Sequence, residues 1–218
     1  MGFIMSESKG KKKLILVGGG GFFLEVSEYI SASNDAYIFG YLAAQKSSGV
    51  LDIDYLGDVS EAENYTDCYF LITIGNPQTR SRIYNSLKGK CKLYTFIDPR
   101  AIVSRSAVIG EGAVICPNVI LNARCTIEPN VVVNVNASVG HESYIGESSV
   151  LSPYAALNGS SKVGEKCFLG TRATVFPGKI LGDSCIVDTH SFVKSNVPEK
   201  SIVSSKTEYL VLKNRLMR

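Results

Sequence analysis

The sequence predicts a small α/β unit followed by a three-sided parallel β-solenoid. Three observations carry that reading. Seventeen consecutive positions spaced by six, from Ile97 through Val103 and Ile109 to Leu181, Val187 and Val193, are Ile, Leu or Val without a slip. The position four after each rung is mostly small, as at Ala101, Ala113, Cys125, Ala137, Ser149, Cys167, Ala173 and Cys185. Upstream of the ladder, short apolar runs alternate with helical ones.

The first unit is expected over residues 13–95, behind a basic tail over 1–12 that has no packing pattern and is expected to be disordered. "KLILV" is a buried strand, four glycines at 18–21 make a turn, and a helix follows from about Phe22 to Ser31. "AYIFGYL" is a second strand and "YFLITIG" a third. "NPQTRSRIYNSL" is a helix with Pro77 near its start. "CKLYTFI" is a last strand that feeds the ladder. Strands alternating with helices give a Rossmann-like parallel sheet.

The glycine turn joins a strand to a helix N-terminus, where unpaired N–H groups suit an anion. Gly18 and Gly20 fit a dinucleotide fingerprint, but its third glycine position is Phe23. Two readings stay open for Gly20 and Gly21: a tight structural turn, or a site for a substrate phosphate or sugar.

A period of six fits neither a helix nor a simple strand. It fits coils of three short strands, each sending one aliphatic and one small side chain into a narrow interior. The solenoid is expected over 96–193, with a polar loop and a short helix capped by Thr207 in 194–218. Residues eighteen apart should stack at the ~4.8 Å strand spacing. Asn118, Asn136, Tyr154, Arg172 and His190 then form one polar ridge, either a subunit interface or a wall of an acceptor cleft.

His141 stands two residues after the inward Val139. A narrow apolar core would leave an imidazole unsatisfied, so it should point outward. One coil on stands Gly159, which leaves room for a ligand and an exposed N–H. On the residues alone, His141 is either a solvated surface side chain or a general base.

Composition narrows the classes. A net charge of +3 makes no case for nucleic acid or a membrane surface, and no apolar run reaches the ~20 residues of a membrane span. Six cysteines show no C-x-x-C or zinc spacing, and no signal peptide is evident, so reduced thiols in a cytoplasmic protein are expected. Two histidines are too few for the three zinc ligands of a γ-type carbonic anhydrase, and no metal is expected.

The glycine turn after the first strand, "TIGNPQTR", and "VGHESYIG" within the ladder together resemble the bacterial sugar acetyltransferase family, over roughly residues 13–205. That family includes nucleotide-4-amino-sugar N-acetyltransferases of the bacillosamine and perosamine type and sialic acid O-acetyltransferases. The resemblance implies a left-handed parallel β-helix built of hexapeptide repeats and a homotrimer with sites between subunits. It implies acetyl-CoA as co-substrate, His141 and Glu142 as the catalytic pair, and the Gly159 N–H facing the thioester carbonyl. It places coenzyme A along Thr171 and Thr189, and the sugar near Gly20, Gly21 and Asn118. Being bacterial, the family sets aside the formal myristoylation pattern of Gly2 and Ser6.

Three places depart from the family pattern. A histidine some members use near coenzyme A is Val150 here, the usual "GGH" of the turn has Phe22 after Gly21, and acidic residues after the second strand are Ala43 and Ala44. The expectation is an acetyl-CoA-dependent N-acetyltransferase acting on a nucleotide-linked amino sugar in surface-glycan synthesis such as lipopolysaccharide or capsule. O-acetylation of a sialic-type or other sugar hydroxyl is the alternative, and a non-catalytic structural solenoid the second.

Overall fold

The computed structural model describes residues 10–47 and 53–205. Most of the basic tail, Gly2 and Ser6, and the helix expected around Thr207 lie outside the described residues.

The chain opens with β1 (Lys12–Val17), α1 (Gly21–Ser31) and β2 (Ala36–Leu42). Lys12 was expected in the tail but pairs with Ala36 as the first residue of β1, because its backbone extends the ladder with β2 while its side chain stays exposed. A 3-10 helix over Val59–Asn64, capped by the Asp58 carboxylate on Ser60 N–H, was not foreseen. Then come β3 (Tyr69–Ile72), α2 (Pro77–Leu87) and β4 (Lys92–Leu93). The sheet order is β2-β1-β3-β4, all parallel. The single strand expected over "CKLYTFI" is two: Lys92–Leu93 pairs with β3, and Phe96–Ile97 begins the solenoid.

The two helices cover opposite faces of the sheet. Phe23, Val26 and Ile30 of α1, at helical spacing, pack against Leu14, Leu16 and Leu71 and against Val114 and Val132 of the solenoid. Tyr84 and Leu87 of α2 pack on Ile15, Val17, Phe70 and Ile72. Asn76 caps α2 by accepting from Thr79 N–H at 2.9 Å, with Pro77 next to it.

Arg80 of α2 is fully buried and ties this unit to the solenoid. Its Nη2 donates to Gly112 O at 3.1 Å, its Nε to Asn130 O, and Nη1 to Ile72 O and Ile74 O. Among the described residues no carboxylate meets it; carbonyl dipoles solvate the guanidinium instead. Burial pushes its pKa down to about 9, which leaves it protonated at neutral pH.

From Phe96 on, two-residue strands wind into three parallel sheets of five, seven and six strands. Successive coils pair in a register of eighteen, as in Ser138↔Ala156 and Val139↔Leu157. The ladder residues from Ile115 to Val193 are buried. At the open first coil Ile97 is 43% exposed, and Val103 and Ile109 are half-buried, because no coil precedes them. Small inward hydroxyls and thiols find carbonyls: Ser143 Oγ donates to Asn158 O at 2.9 Å, Ser149 Oγ to Gly164 O at 2.7 Å, and Cys167 Sγ to Gly182 O at 3.0 Å. That satisfaction is why Ser and Cys are tolerated in an aliphatic column.

The stack runs past Val193. Ile202–Val203 pairs with Ile186–Val187, and Val197 bridges to Leu181, so part of the expected polar loop forms a shortened coil.

From Gly112 to His190 each corner turns through a residue of positive φ, among them Asn118 (59°), Arg124 (59°), Asn136 (58°), Glu142 (59°), Ser160 (59°), Arg172 (60°) and His190 (57°). The polar ridge seen in the sequence is one such column of left-handed corner residues. Its members share a backbone requirement.

Candidate active site

Each coil has three corners, and the candidate residues fall on two of them. His141 and Glu142 lie between strands Ser138–Val139 and Tyr144–Ile145. Asn118, Thr171 and Thr189 lie on the preceding corner, which joins Val114–Ile115 to Ile120–Leu121 and its stacked equivalents. Within one chain, Thr171, Thr189 and Asn118 are therefore not brought to the histidine.

The corner explains how neighbours in sequence can touch. Adjacent residues of a strand point to opposite faces, but Glu142 sits at φ 59°, which swings its side chain back beside His141. Glu142 Oε2 lies 3.4 Å from His141 Nδ1. With Nδ1 directed at a carboxylate, Nε2 is left as the free basic nitrogen. The His141 hydrogen bond, then the nearby Arg124 charge, hold the Glu142 carboxyl below its ordinary range.

The imidazole lies against Gly159 on the next coil. A Cβ at Gly159 would overlap Nε2 and come within 2.6 Å of Cε1. A Cβ at Gly140 would stand 2.6 Å from Gly159 N. Two glycines thus clear the space around one imidazole and one backbone N–H. The ladder uses Ser160 N–H, which donates to His141 O at 2.8 Å, and Asn158 N–H, which donates to Val175 O at 3.1 Å. Among the described residues the Gly159 N–H donates to no protein acceptor. A base nitrogen beside a free N–H is what acyl transfer to an amine or hydroxyl requires.

Gly20 and Gly21 begin α1. Gly20 is its N-cap and gives no side-chain bond, and the space where either Cβ would stand is open. Beside this turn is a cleft of about 130 Å³ lined by Phe22, Glu25, Gly75, Val132, Asn134, Val150, Ser152 and Phe168. Asn134 and Ser152 went unnoticed in the sequence, yet they are eighteen apart and stack on the corner that also carries Thr171 and Thr189. Phe22 and Val150, two of the departures noted above, both face this cleft. A larger cleft of about 440 Å³, between the 3-10 helix and α2, contains none of the candidate residues. His190 is exposed, at a corner on the outside of the stack. Among the described residues no group of three His, Cys, Asp or Glu could hold a metal, and no helix is long and apolar enough to cross a membrane.

Residues 13–87 match the PglD N-terminal domain family. A UDP-N-acetylbacillosamine N-acetyltransferase of Bacillus subtilis (strain 168) is 34% identical over 119 residues, 48% of this chain and 51% of that protein. The aligned region thus spans about half the length of this curated relative. PerB of Caulobacter crescentus, solved with CoA and GDP-perosamine, superimposes with a TM-score of 0.81 at 27% identity, over 87% of this chain and 92% of that one. The acetyltransferase domain of PglB from Neisseria gonorrhoeae FA1090, in complex with acetyl coenzyme A, shares the fold, with a TM-score of 0.82 at 23% identity over 89% of this chain and 99% of that one.

Proposed function

We propose that this chain is a hexapeptide-repeat sugar acetyltransferase and that it transfers an acetyl group from acetyl-CoA to the amino group of a nucleotide-linked amino sugar. The observation that carries the reading is the His141 imidazole lying across Gly159 beside an unused N–H. Its support is the likeness, along most of the chain, to an enzyme solved with CoA and GDP-perosamine.

In this mechanism Nε2 of His141 accepts a proton from the sugar amine as the nitrogen attacks the thioester carbonyl. Negative charge moves to the carbonyl oxygen, where the Gly159 N–H stabilises it. Collapse of the tetrahedral intermediate forms the amide and breaks the carbon–sulfur bond. The imidazolium can return its proton to the departing thiolate. Glu142 holds Nδ1 protonated and stabilises the imidazolium. General-base help of this kind is worth roughly 10²–10⁴ in rate.

Residues 13–95 supply the acceptor site, with Gly20 and Gly21 at the head of α1, and the adjoining cleft is completed by the solenoid. Residues 96–193 carry acetyl-CoA, with Gly159 at its thioester and Thr171 and Thr189 along its pantetheine arm, while Asn118, on the same corner as the threonines, contacts the sugar. The chain works as a homotrimer: His141 is 64% exposed, and the residues assigned to the co-substrate stand on another corner, which a neighbouring subunit would bring across. The enzyme acts in the cytoplasm on a precursor of a surface glycan such as lipopolysaccharide or capsule.

A second reading, transfer to the hydroxyl of a sialic-type sugar, is favoured by the apolar Phe22 and Val150 walls of the cleft and by Ala43 and Ala44 after β2. The test is release of CoA thiol with 4-amino nucleotide sugars and sialic-type acids as acceptors, with the product treated with hydroxylamine. An amide that survives supports the first reading; an ester that is cleaved supports the second. No turnover with any acceptor, together with no heat of acetyl-CoA binding, overturns both.

A further inference from the structure

We propose that Arg124 is a positioning residue for the His141–Glu142 pair, holding the Glu142 carboxylate from the preceding coil so that its second oxygen faces the imidazole. The inference rests on the acetyl-transfer reading of His141.

Arg124, Glu142 and Ser160 occupy the same corner position on three successive coils, each at φ 59°, so their side chains project one above another. The backbone register is locked around them. Glu142 N–H donates to Ala123 O at 2.9 Å, Ser160 N–H to His141 O at 2.8 Å, and Arg124 N–H to Ser106 Oγ at 3.0 Å. Arg124 Nη2 donates to Glu142 Oε1 at 2.7 Å. On the other oxygen, Oε2, His141 Nδ1 stands at 3.4 Å and Ser160 Oγ at 3.5 Å.

These contacts are unequal. The arginine bond is in the short, charge-assisted class, while the other two are at the outer limit of hydrogen bonding. Glu142 is 45% exposed and has freely rotating bonds, so two long contacts alone would not fix it against its own entropy. Arg124 therefore sets where Oε2 stands, and through it the orientation of the ring that carries Nε2.

The chain has two histidines, so a His190→Asn control assigns the His141 imidazole signals by NMR. The experiment follows the His141 ring-nitrogen shifts and the kinetics of acetyl transfer in wild type, Arg124→Gln and Arg124→Lys. In wild type the neutral ring should carry its proton on Nδ1, the nitrogen facing Glu142. The expected result for Arg124→Gln is a move of those shifts toward a mixture of the two tautomers. Its kcat falls about tenfold, within the range of lost general-base efficiency, with KM for acetyl-CoA unchanged. Arg124→Lys restores the wild-type shifts. An Arg124→Gln protein with the wild-type shifts and rate overturns the proposal. So does one that weakens acetyl-CoA binding while the ring shifts stay in place, since Arg124 would then be a coenzyme contact. If the wild type transfers no acetyl group but the ring shifts still move, the coupling stands and the functional reading falls.

Discussion

His141 and Gly159 are packed so closely across successive coils that the glycine's missing Cβ is the space the imidazole fills. The relationship is a consequence of the eighteen-residue register, which pairs Ser138–Val139 with Ala156–Leu157 just before this corner.

Gly159→Ala should therefore separate folding from catalysis. The methyl would meet the far end of a surface side chain, which can rotate away, so the melting temperature should stay near wild type. The imidazole would be pushed off its position, and displacement of about 1 Å can cost ~10² in rate. Circular dichroism and the thiol-release assay check the two halves. A large loss of stability would show that the contact is structural.

Arg80→Leu should act in the opposite way. It removes the donors to Asn130, Gly112, Ile72 and Ile74 carbonyls where α2 meets the solenoid. Buried polar groups left unpaired in this manner cost about 3–5 kcal/mol in total. Urea unfolding should show that loss, and Arg80→Lys should not repair it, because one ammonium cannot reach carbonyls that diverge.

Asp98 gives a pH signature. Its carboxylate is 1% exposed and accepts from Arg100 Nε at 2.8 Å, Arg100 Nη2 at 2.9 Å and Arg100 N–H at 2.9 Å. The Arg100 side-chain bonds hold its pKa below the ordinary value, against the opposing effect of burial. A depressed carboxylate contributes stability above its unfolded pKa and loses it as pH falls through the folded one. Wild type should thus lose stability more steeply than Asp98→Asn below about pH 4, while near neutrality the variant should be weaker by roughly 1–2 kcal/mol. Thermal melts across that range decide it; parallel curves would remove the assignment.

Much of this was legible beforehand because the solenoid repeats. A rung seen once could be chance, but the unbroken run to Val193 fixes period, stacking and inward face together. The same rule, applied backwards from Glu142, points to Arg124, and applied to Asn134 it points to Ser152; both pairs were readable. What the sequence hid was non-periodic. Nothing in "NPQTRSRIYNSL" marks Arg80 as buried, since its partners are backbone carbonyls on other elements. Ile202–Val203 was hidden because a sixteen-residue step to it from Ile186–Val187 breaks the register. The polar ridge through His190 was legible as a column, and the positive φ its members share was not.

Asn134 tests the cleft beside the glycine turn. It stands there with Ser152 among apolar walls, so Asn134→Ala should raise KM for the sugar acceptor several-fold, of the order expected for one lost polar contact. KM for acetyl-CoA should be unchanged. The reverse pattern would place the coenzyme, not the sugar, in this cleft.

The account stands on His141 as the base of an acetyl transfer, and the most direct measurement is the rate of CoA thiol release by wild type and His141→Ala with a 4-amino nucleotide sugar. The side chain is exposed, so the variant should fold as wild type does. The account predicts a fall in kcat of roughly 10²–10⁴ with both substrates still bound. A His141→Ala enzyme working at the wild-type rate would contradict it.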